Sequence, residues 1–472
     1  MNLVHFLCLC FFSLNAVADT DSDFKRIIKK HHFAESSLGL YVVDEGKKII
    51  DINAERLMIP ASLTKIVTGG AILTKLPLNT KFVTSVWSKG NIEGSSLKGD
   101  ICFKGGGDPS FVSEKMWYLV NEFVRTGVKT IEGDLIMDSS RFDDEIFDTG
   151  RDSVRVDRAF DAPISSLAFN WNSVNVFIRP NEKVGGPARV FLDPTNDYLE
   201  LENKTTTVEK SGVKTIEVSR VKLGIKDKII ITGSLSVNAK EVVVYKSISN
   251  PTLWSASHFK EFLGQRGIKF TGTVKVGTCV EGSRVLAEVS SKNLNEMTSD
   301  MLKFSNNFVA EMLVKNLAAE EKGSSTSSAP IRASMKDGIE SIKTYLDKLG
   351  FARKDYVLEN VSGLTRDNRF SAKQLSLVLG SIKNDFLVFP EFLSGLPIAG
   401  VDGTMKNRLR GDNFSLVRAK TGYLDGVVGL GGFIGRKDKA PLIFVFMFNG
   451  GYDQGLAARP MFDELIIELF KL

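Results

Sequence analysis

Histidine is scarce in this chain, with four copies in 472 residues, and His31, His32 and His258 stand at no spacing that metal ligands use. Cysteine is equally rare, and Cys102 and Cys279 are isolated from one another in sequence. No zinc site, other metal or resident cofactor is therefore expected. With so few imidazoles, lysine is left as the natural general base. Neither sign of charge dominates: Lys and Arg number 61 against 56 Asp and Glu, spread along the chain rather than gathered in a block. That pattern is a solvated protein surface and excludes a nucleic-acid footprint.

A membrane-spanning run is also missing from the expected mature chain. The N-terminal apolar stretch, Leu3 to Leu14, is shorter than the ~20 residues that cross a bilayer. It leads to Ala16-Val17-Ala18, small residues at the spacing signal peptidase reads, so residues 1–18 are expected to be an export signal cleaved before Asp19. Met1 to His5 contains no Lys or Arg, and its positive charge rests on the amino terminus. Cys8 and Cys10 leave with the signal. Cys102 and Cys279 remain, either paired in an oxidising compartment or standing as two buried small apolar residues.

What is present, 43% hydrophobic and 25% charged residues, suffices for one large core and a second. Phe24 to Phe33 reads as a short helix, Leu38 to Asp44 and Lys48 to Ile52 as strands, and Leu63 to Leu76 as a helix with Ile66, Val67, Ala71 and Ile72 on one face. From about Lys81 to about Glu288 short β-type runs take over: Phe82 to Val86, Asp100 to Phe103, Thr130 to Met137, Val174 to Ile178, Thr215 to Val221, Lys228 to Thr232 and Glu241 to Tyr245. Gly105-Gly106-Gly107-Asp108-Pro109 lacks the ending of a phosphate loop and reads as a tight structural turn. Helical periodicity returns at Leu294 to Leu302, Phe308 to Ala319 and Arg332 to Leu349, with Gly323 to Ser328 as a flexible connector. Val427 to Ile434 and Leu442 to Phe448 read as adjacent antiparallel strands, and Met461 to Leu472 as an amphipathic helix packed on their sheet. The fold class is thus mixed α and β in several domains. Residues 19–80 with 289–472 form one discontinuous domain, and 81–288 form a β-rich insertion with a smaller domain nested at about 180–245.

Three short motifs follow in order: Ser62-Leu63-Thr64-Lys65, Ser305-Asn306-Asn307 and Lys420-Thr421-Gly422. Ser-x-x-Lys also occurs at Ser95 to Lys98 and Ser211 to Lys214, in polar stretches that offer a lysine no burial. Ser62 and Lys65 instead lie three apart on an apolar helix, with adjacent side chains and Ser62 at the helix start. A lysine acts as base when burial lowers its proton affinity. Ser305-Asn306-Asn307 joins two expected helices and can point into a cleft. Lys420-Thr421-Gly422 opens a strand whose glycine permits close approach of an extended peptide, with the lysine meeting a carboxylate.

This trio is a signature of penicillin-binding proteins and class A β-lactamases. The chain resembles, more closely, the D-alanyl-D-alanine carboxypeptidase/endopeptidase family of the penicillin-binding protein 4 type. Pro60 to Lys65, Gly106-Gly107-Asp108-Pro109, Ala162-Pro163-Ile164-Ser165, Ser362 to Asn368 and Leu396 to Thr404 all look like family segments in family order. The long β-rich stretch between Ser62 and Ser305 is similar to that family's extra domains and unlike a compact class A β-lactamase. The resemblance implies a β-lactamase/transpeptidase-like domain, an antiparallel sheet flanked by helices, carrying the insertion.

It further implies a periplasmic serine DD-peptidase that cleaves peptidoglycan peptides and is acylated by β-lactam antibiotics. Ser62 is the expected nucleophile, Lys65 its base, Ser305 a relay to the leaving amine and Asn307 a hydrogen-bonding partner of Lys65. Lys420 and Thr421 would bind the terminal carboxylate, with Arg366 as a second cation. The backbone N–H groups of Ser62 and Tyr423 would form the oxyanion hole beside Gly422. Tyr423 replaces the small hydroxyl residue common in the family, and Val361 its usual glycine. Phe160 reads as a core aromatic or a substrate contact. Relatives often carry an acidic residue a few positions earlier to bind the amine of the peptide's third residue, where this chain has Arg155, with Asp157 the nearest carboxylate. A β-lactamase-like hydrolase and a non-catalytic cell-wall binding protein are the alternatives. The oligomeric state is left open.

Overall fold

A computed structural model describes residues 20–148, 157–323 and 330–472. The expected signal, Arg155 and most of the Gly323 to Ser328 connector lie outside the described residues. Five antiparallel strands form the central sheet: β1 (Leu38–Asp44), β2 (Lys47–Ile52), β3 (Val417–Leu424), β4 (Val427–Arg436) and β5 (Lys439–Asn449), in the order β3-β4-β5-β1-β2. Period-two patterning decides its two faces. On β5, Leu442, Phe444, Phe446 and Phe448 face one hydrophobic cluster with the Ala458–Leu469 helix and the helix at 20–30, while Ile443, Val445 and Met447 face the other. Both faces are covered, so β5 reads as a continuous apolar run.

The second face packs on a group of helices around Thr64–Lys75, where every residue from Thr64 to Leu73 is buried. Around it stand Leu294–Lys303, Asn307–Lys322, Met335–Lys348, Ala372–Asn384 and Phe389–Gly395. A Cβ at Gly70 would lie 2.9 Å from Ile382 and 3.0 Å from the Tyr345 hydroxyl. A helix buried on all sides needs such small residues for its neighbours to approach.

Residues 83–290 build a separate core around Phe103, Phe123, Phe169, Trp254 and Phe259. Its five-stranded sheet orders Val274–Val276, Leu135–Asp138, Ile101–Lys104, Val83–Ser88 and Arg284–Ser290. Two three-stranded sheets lie within 173–247, one of them made of Leu199–Val208, Lys226–Ser236 and Glu217–Leu223. The Gly105 to Gly107 turn is structural: a Cβ on Gly106 would lie 2.2 Å from the Val83 carbonyl oxygen. Asn316 Nδ2 donates to the Gly107 carbonyl at 2.7 Å, which ties the turn to the Asn307–Lys322 helix.

Several local expectations are corrected. Thr130 to Met137 is two strands in different sheets, Thr130–Ile131 and Leu135–Asp138, because Gly133 sits against Gly99, where a Cβ would lie 2.2 Å from its carbonyl carbon. The β-rich stretch contains two helices, Ser113–Val124 and Pro251–Gln265. The first buries Met116, Leu119, Val120 and Phe123 at helical spacing, and the second starts with the Asn250 cap and Pro251. Ala372–Asn384 and Phe389–Gly395 complete the helices that the periodic reading passed over.

Cys102 and Cys279 form a disulfide with their Cα atoms 5.5 Å apart, closing a sequence separation of 177 residues. Among the described residues they also form, with Asp138, the group of ligand-type side chains close enough to share an ion. Both sulfurs are already consumed by the disulfide, and Asp138 Oδ2 accepts from the Cys279 N–H at 2.9 Å. Replacing both cysteines by serine is expected to lower stability by about 2–5 kcal/mol. Thermal unfolding of the variant against the oxidised wild type measures this, and an unchanged transition would refute a structural role for the bridge.

Candidate active site

The Pro60 to Leu63 turn is held in a conformation that side chains rarely adopt. Ala61 has φ 47, and the turn continues through the 3-10 segment Ala61–Leu63 into the Thr64–Lys75 helix. Thr64 Oγ1 donates to the Ala61 carbonyl at 2.9 Å. Two glycines close on this turn. At Gly363, with φ +78, a Cβ would sit 2.0 Å from the Ala61 carbonyl oxygen; at Gly422 of β3 it would sit 2.9 Å from that of Pro60. Only glycine lets both the 360–368 loop and the edge strand come this close.

Lys65 is fully buried beneath Ser62. Its Nζ lies 3.3 Å from Ser62 Oγ and donates to Asn307 Oδ1 at 2.7 Å and to the Ser362 carbonyl at 2.5 Å. The orientation of the Asn307 amide follows from its other neighbour. Its Nδ2 donates to the Phe160 carbonyl at 3.1 Å, an oxygen that can only accept, so Oδ1 faces Lys65. The Ser362 carbonyl is aimed by buried asparagines: Asn360 Oδ1 accepts from the Ser362 N–H at 3.1 Å, and Asn368 Nδ2 donates to the Asn360 carbonyl at 2.7 Å. Asn360 Nδ2 in turn donates to Asp148 at 2.8 Å.

Ser305 stands between the Leu294–Lys303 and Asn307–Lys322 helices in the left-handed region, with φ 55. Its Oγ accepts from Lys420 Nζ at 2.8 Å, and Lys420 also donates to the Thr421 carbonyl at 2.7 Å. Lys420 is fully buried, and burial pushes its ammonium down to about 7. A cavity of about 220 Å³ runs from Ser62 and Ser305 along Thr421, Gly422 and Tyr423 to Thr404, Arg408 and Arg459. Seven residues expected from the motifs are therefore brought together with Asn307: Ser62, Lys65, Ser305, Lys420, Thr421, Gly422 and Tyr423.

Three others stand apart from this cavity. Arg366 donates to the Asp425 carbonyl at 2.6 Å and is absent from the cavity wall. The core reading of Phe160 is overturned, since the residue is 53% exposed, and its backbone carbonyl meets the site through Asn307. Asp157 accepts from Lys246 Nζ at 2.6 Å and from the Arg220 N–H at 2.8 Å, on a different cavity with Ile216, Val218 and Val244. Burial opposes its charge, yet these two partners hold it below the usual carboxylate range.

Motif reading missed the Ser362 carbonyl, Arg408 and Arg459. Ser362 lay inside a quoted segment, but nothing local marks a backbone oxygen as a ligand of Lys65, and the two arginines belong to no motif. Burial also separates Lys65 from the lysines in other copies of its motif. Lys98 and Lys214 are exposed, and Lys98 is taken by Glu132 at 2.7 Å. A further Ser-x-x-Lys, Ser257 and Lys260, lines a cavity of about 390 Å³ in the insertion, with Lys260 exposed over the Phe270 ring.

Residues 21–466 match the model of the D-Ala-D-Ala carboxypeptidase 3 (S13) family. The chain is 30% identical over 448 residues to the D-alanyl-D-alanine carboxypeptidase of Actinomadura sp. (strain R39), covering 91% of this chain and 80% of that protein. It superposes on the crystal structure of penicillin binding protein 4 from Haemophilus influenzae with a TM-score of 0.81 at 25% identity, covering 95% of this chain and 99% of that one. The same H. influenzae protein complexed with a β-lactam superposes with a TM-score of 0.76 at 25% identity over 95% of this chain and 100% of the other.

Two outcomes follow from this geometry. Gly363→Ala forces a side chain into the Ala61 carbonyl and is expected to destabilise the protein by more than about 2 kcal/mol; the midpoint of thermal unfolding would fall, and a wild-type midpoint would refute the close approach. Lys420 has a depressed folded value, so below about 7 its buried charge costs stability in full. As pH rises from about 7 towards the ordinary 10.5 the unfolded chain holds more protons than the native one, and that cost is relieved. Relative to Lys420→Met, the wild type is expected to gain up to about 1.4 kcal/mol of unfolding free energy per pH unit across that window. Parallel pH profiles for the two proteins would contradict a proton-poor Lys420.

Proposed function

We propose, from the premise that the chain belongs to the D-Ala-D-Ala carboxypeptidase 3 (S13) family, that it is a serine DD-peptidase acting on peptidoglycan peptides through an acyl-enzyme on Ser62. The observation that carries this reading is the set of partners around Lys65. As an ammonium, Nζ has three protons for Asn307 Oδ1, the Ser362 carbonyl and Ser62 Oγ. As a neutral amine it has two N–H groups and one lone pair. The two carbonyl oxygens can only accept, whereas the Ser62 hydroxyl can also donate, so of these three partners it is the one that can meet the lone pair. The amine is thereby oriented as a base for that serine.

In the forward step Ser62 Oγ attacks the carbonyl of the penultimate D-alanine and gives its proton to Lys65. The tetrahedral oxyanion lies against the N–H groups of Ser62 and Tyr423, each such donor being worth about 2.7–4 kcal/mol in comparable sites. Collapse breaks the C–N bond, and the proton held by Lys65 reaches the leaving amine by way of the Ser305 hydroxyl. Water then attacks the ester, Lys65 accepts its proton, and Ser62 recovers the proton as the shortened peptide departs. Lys420, with Thr421 Oγ1 and its 2.7 Å partner Thr404 Oγ1, forms the cradle for the substrate's terminal carboxylate.

The same chemistry cleaves a cross-link when the leaving amine belongs to a neighbouring peptide, and it is trapped by β-lactams, whose strained amide occupies the place of the D-Ala-D-Ala bond. A β-lactam complex of the H. influenzae protein supports that extension. We place the enzyme in the periplasm. The Cys102–Cys279 disulfide suits an oxidising compartment, and among the described residues no helix is long and apolar enough to cross a membrane.

Ser62→Ala is expected to abolish both fluorescent-penicillin labelling and D-alanine release from a pentapeptide, and Lys65→Met to slow both by at least about 10³-fold. Labelling and turnover are read on the same preparations. Failure of the intact protein to label, or a Ser62→Ala variant that still releases D-alanine, would remove Ser62 as nucleophile.

A further inference from the structure

The far wall of the Ser62 cavity holds two arginines in different circumstances. Arg408 is neutralised, its guanidinium donating to Asp463 Oδ1 at 3.1 and 2.6 Å. Arg459, one residue into the Ala458–Leu469 helix, has no hydrogen-bond or ion-pair partner among the described residues. Its guanidinium lies over the Tyr423 ring, 4.8 Å from the centroid. Burial and the neighbouring Arg408 both work against its charge, and the carboxylate that helps it, Asp463, is already engaged by Arg408. A guanidinium keeps its proton under these conditions, so an uncompensated cation faces the substrate cavity.

Its position relative to the carboxylate cradle follows from the strand. Thr421 and Tyr423 are two apart on β3 and share a face, and on that face Thr421 meets Thr404 while Tyr423 meets Arg459. A lone D-alanine has one carboxylate, which Lys420 and the two threonines satisfy. Arg459 stands beside that cradle with its charge unused. Tyr423 holds it there, since a cation on an aromatic face is oriented without being neutralised.

We propose that Arg459 is a specificity-determining residue that recognises a second carboxylate on the leaving fragment, so that the enzyme prefers dicarboxylic over monocarboxylic leaving groups. This rests on the reading of Ser62 as the acylated nucleophile. The hydrolysed bond and its proton balance are unchanged; only the leaving amine differs.

The test compares N-acylated peptides ending in D-Ala-D-Glu and D-Ala-D-Gln, isosteres that differ by one charge, with a D-Ala-D-Ala peptide as reference. In the wild type, kcat/KM for the D-Glu peptide is expected to exceed that for D-Gln by about tenfold. Arg459→Gln should bring the ratio close to one, and Arg459→Lys should retain part of it, with fluorescent-penicillin labelling showing that each variant keeps a folded site. Equal rates on the two isosteres in a wild type that hydrolyses D-Ala-D-Ala would overturn the role of Arg459 alone, as would a preference that survives in labelled Arg459→Gln. No hydrolysis of any of the three peptides would overturn the Ser62 reading and this proposal with it.

Discussion

A lysine amine sealed from water must have its polar contacts met by protein, and the site is organised around that requirement at Lys65. Among its partners are Ser62, three residues earlier in the turn before its helix, Asn307 on another helix, and the carbonyl of Ser362 on a loop, the last two remote in sequence. The two remote partners are themselves held in place. Asn307 is locked by the Phe160 carbonyl, and the loop by Asn360 and Asn368. An unpaired buried amine would be costly, so the three elements hold one another in place as firmly as apolar packing does.

Steric permission is the counterpart of that electrostatic demand. Glycines at 363 and 422 let a loop and a strand edge press against the turn that carries Ser62, and Ala61 and Ser305 hold left-handed conformations on either side of the cavity. Backbone strain of this kind persists where the surroundings leave no relaxed alternative. Residues of the β-rich stretch take part as well. Phe160 lends its carbonyl to Asn307, Asp148 accepts from Asn360, and Gly107 is tied to Asn316. The long β-rich stretch is thus coupled to the site through backbone and carboxylate oxygens instead of substrate-facing side chains.

Charge is distributed unevenly around the cavity. Lys65 and Lys420 are buried within hydrogen-bonding shells, Arg408 is neutralised by Asp463, and Arg459 lies over the Tyr423 face with no hydrogen-bond or ion-pair partner among the described residues. The cavity wall with Arg408 and Arg459 therefore carries positive charge, and on the proposed reading a substrate that brings carboxylates would complete it. Asp157 lines a different cavity, where Lys246 and the Arg220 amide hold it.

What the chain determined by local pattern was considerable. The central strands, the C-terminal helix and the Ser62–Lys65 pair were legible because period-two and i,i+3 relations are set by the backbone itself. The order of the three motifs and their flanks carried the family resemblance, and with it the general shape of the domain. Aromatic-rich runs with nearby turn residues obscured Ser113–Val124 and Pro251–Gln265, although Met116, Leu119, Val120 and Phe123 carry a helical period. Only tertiary structure decided that the Ser362 carbonyl meets Lys65, that Arg366 turns to the Asp425 carbonyl, that Phe160 is exposed and that Arg459 lies over Tyr423. Those contacts join residues far apart in the chain, and no local periodicity encodes them. They arise from how closely the packed elements approach, which the helices, the sheet and the glycines between them settle together.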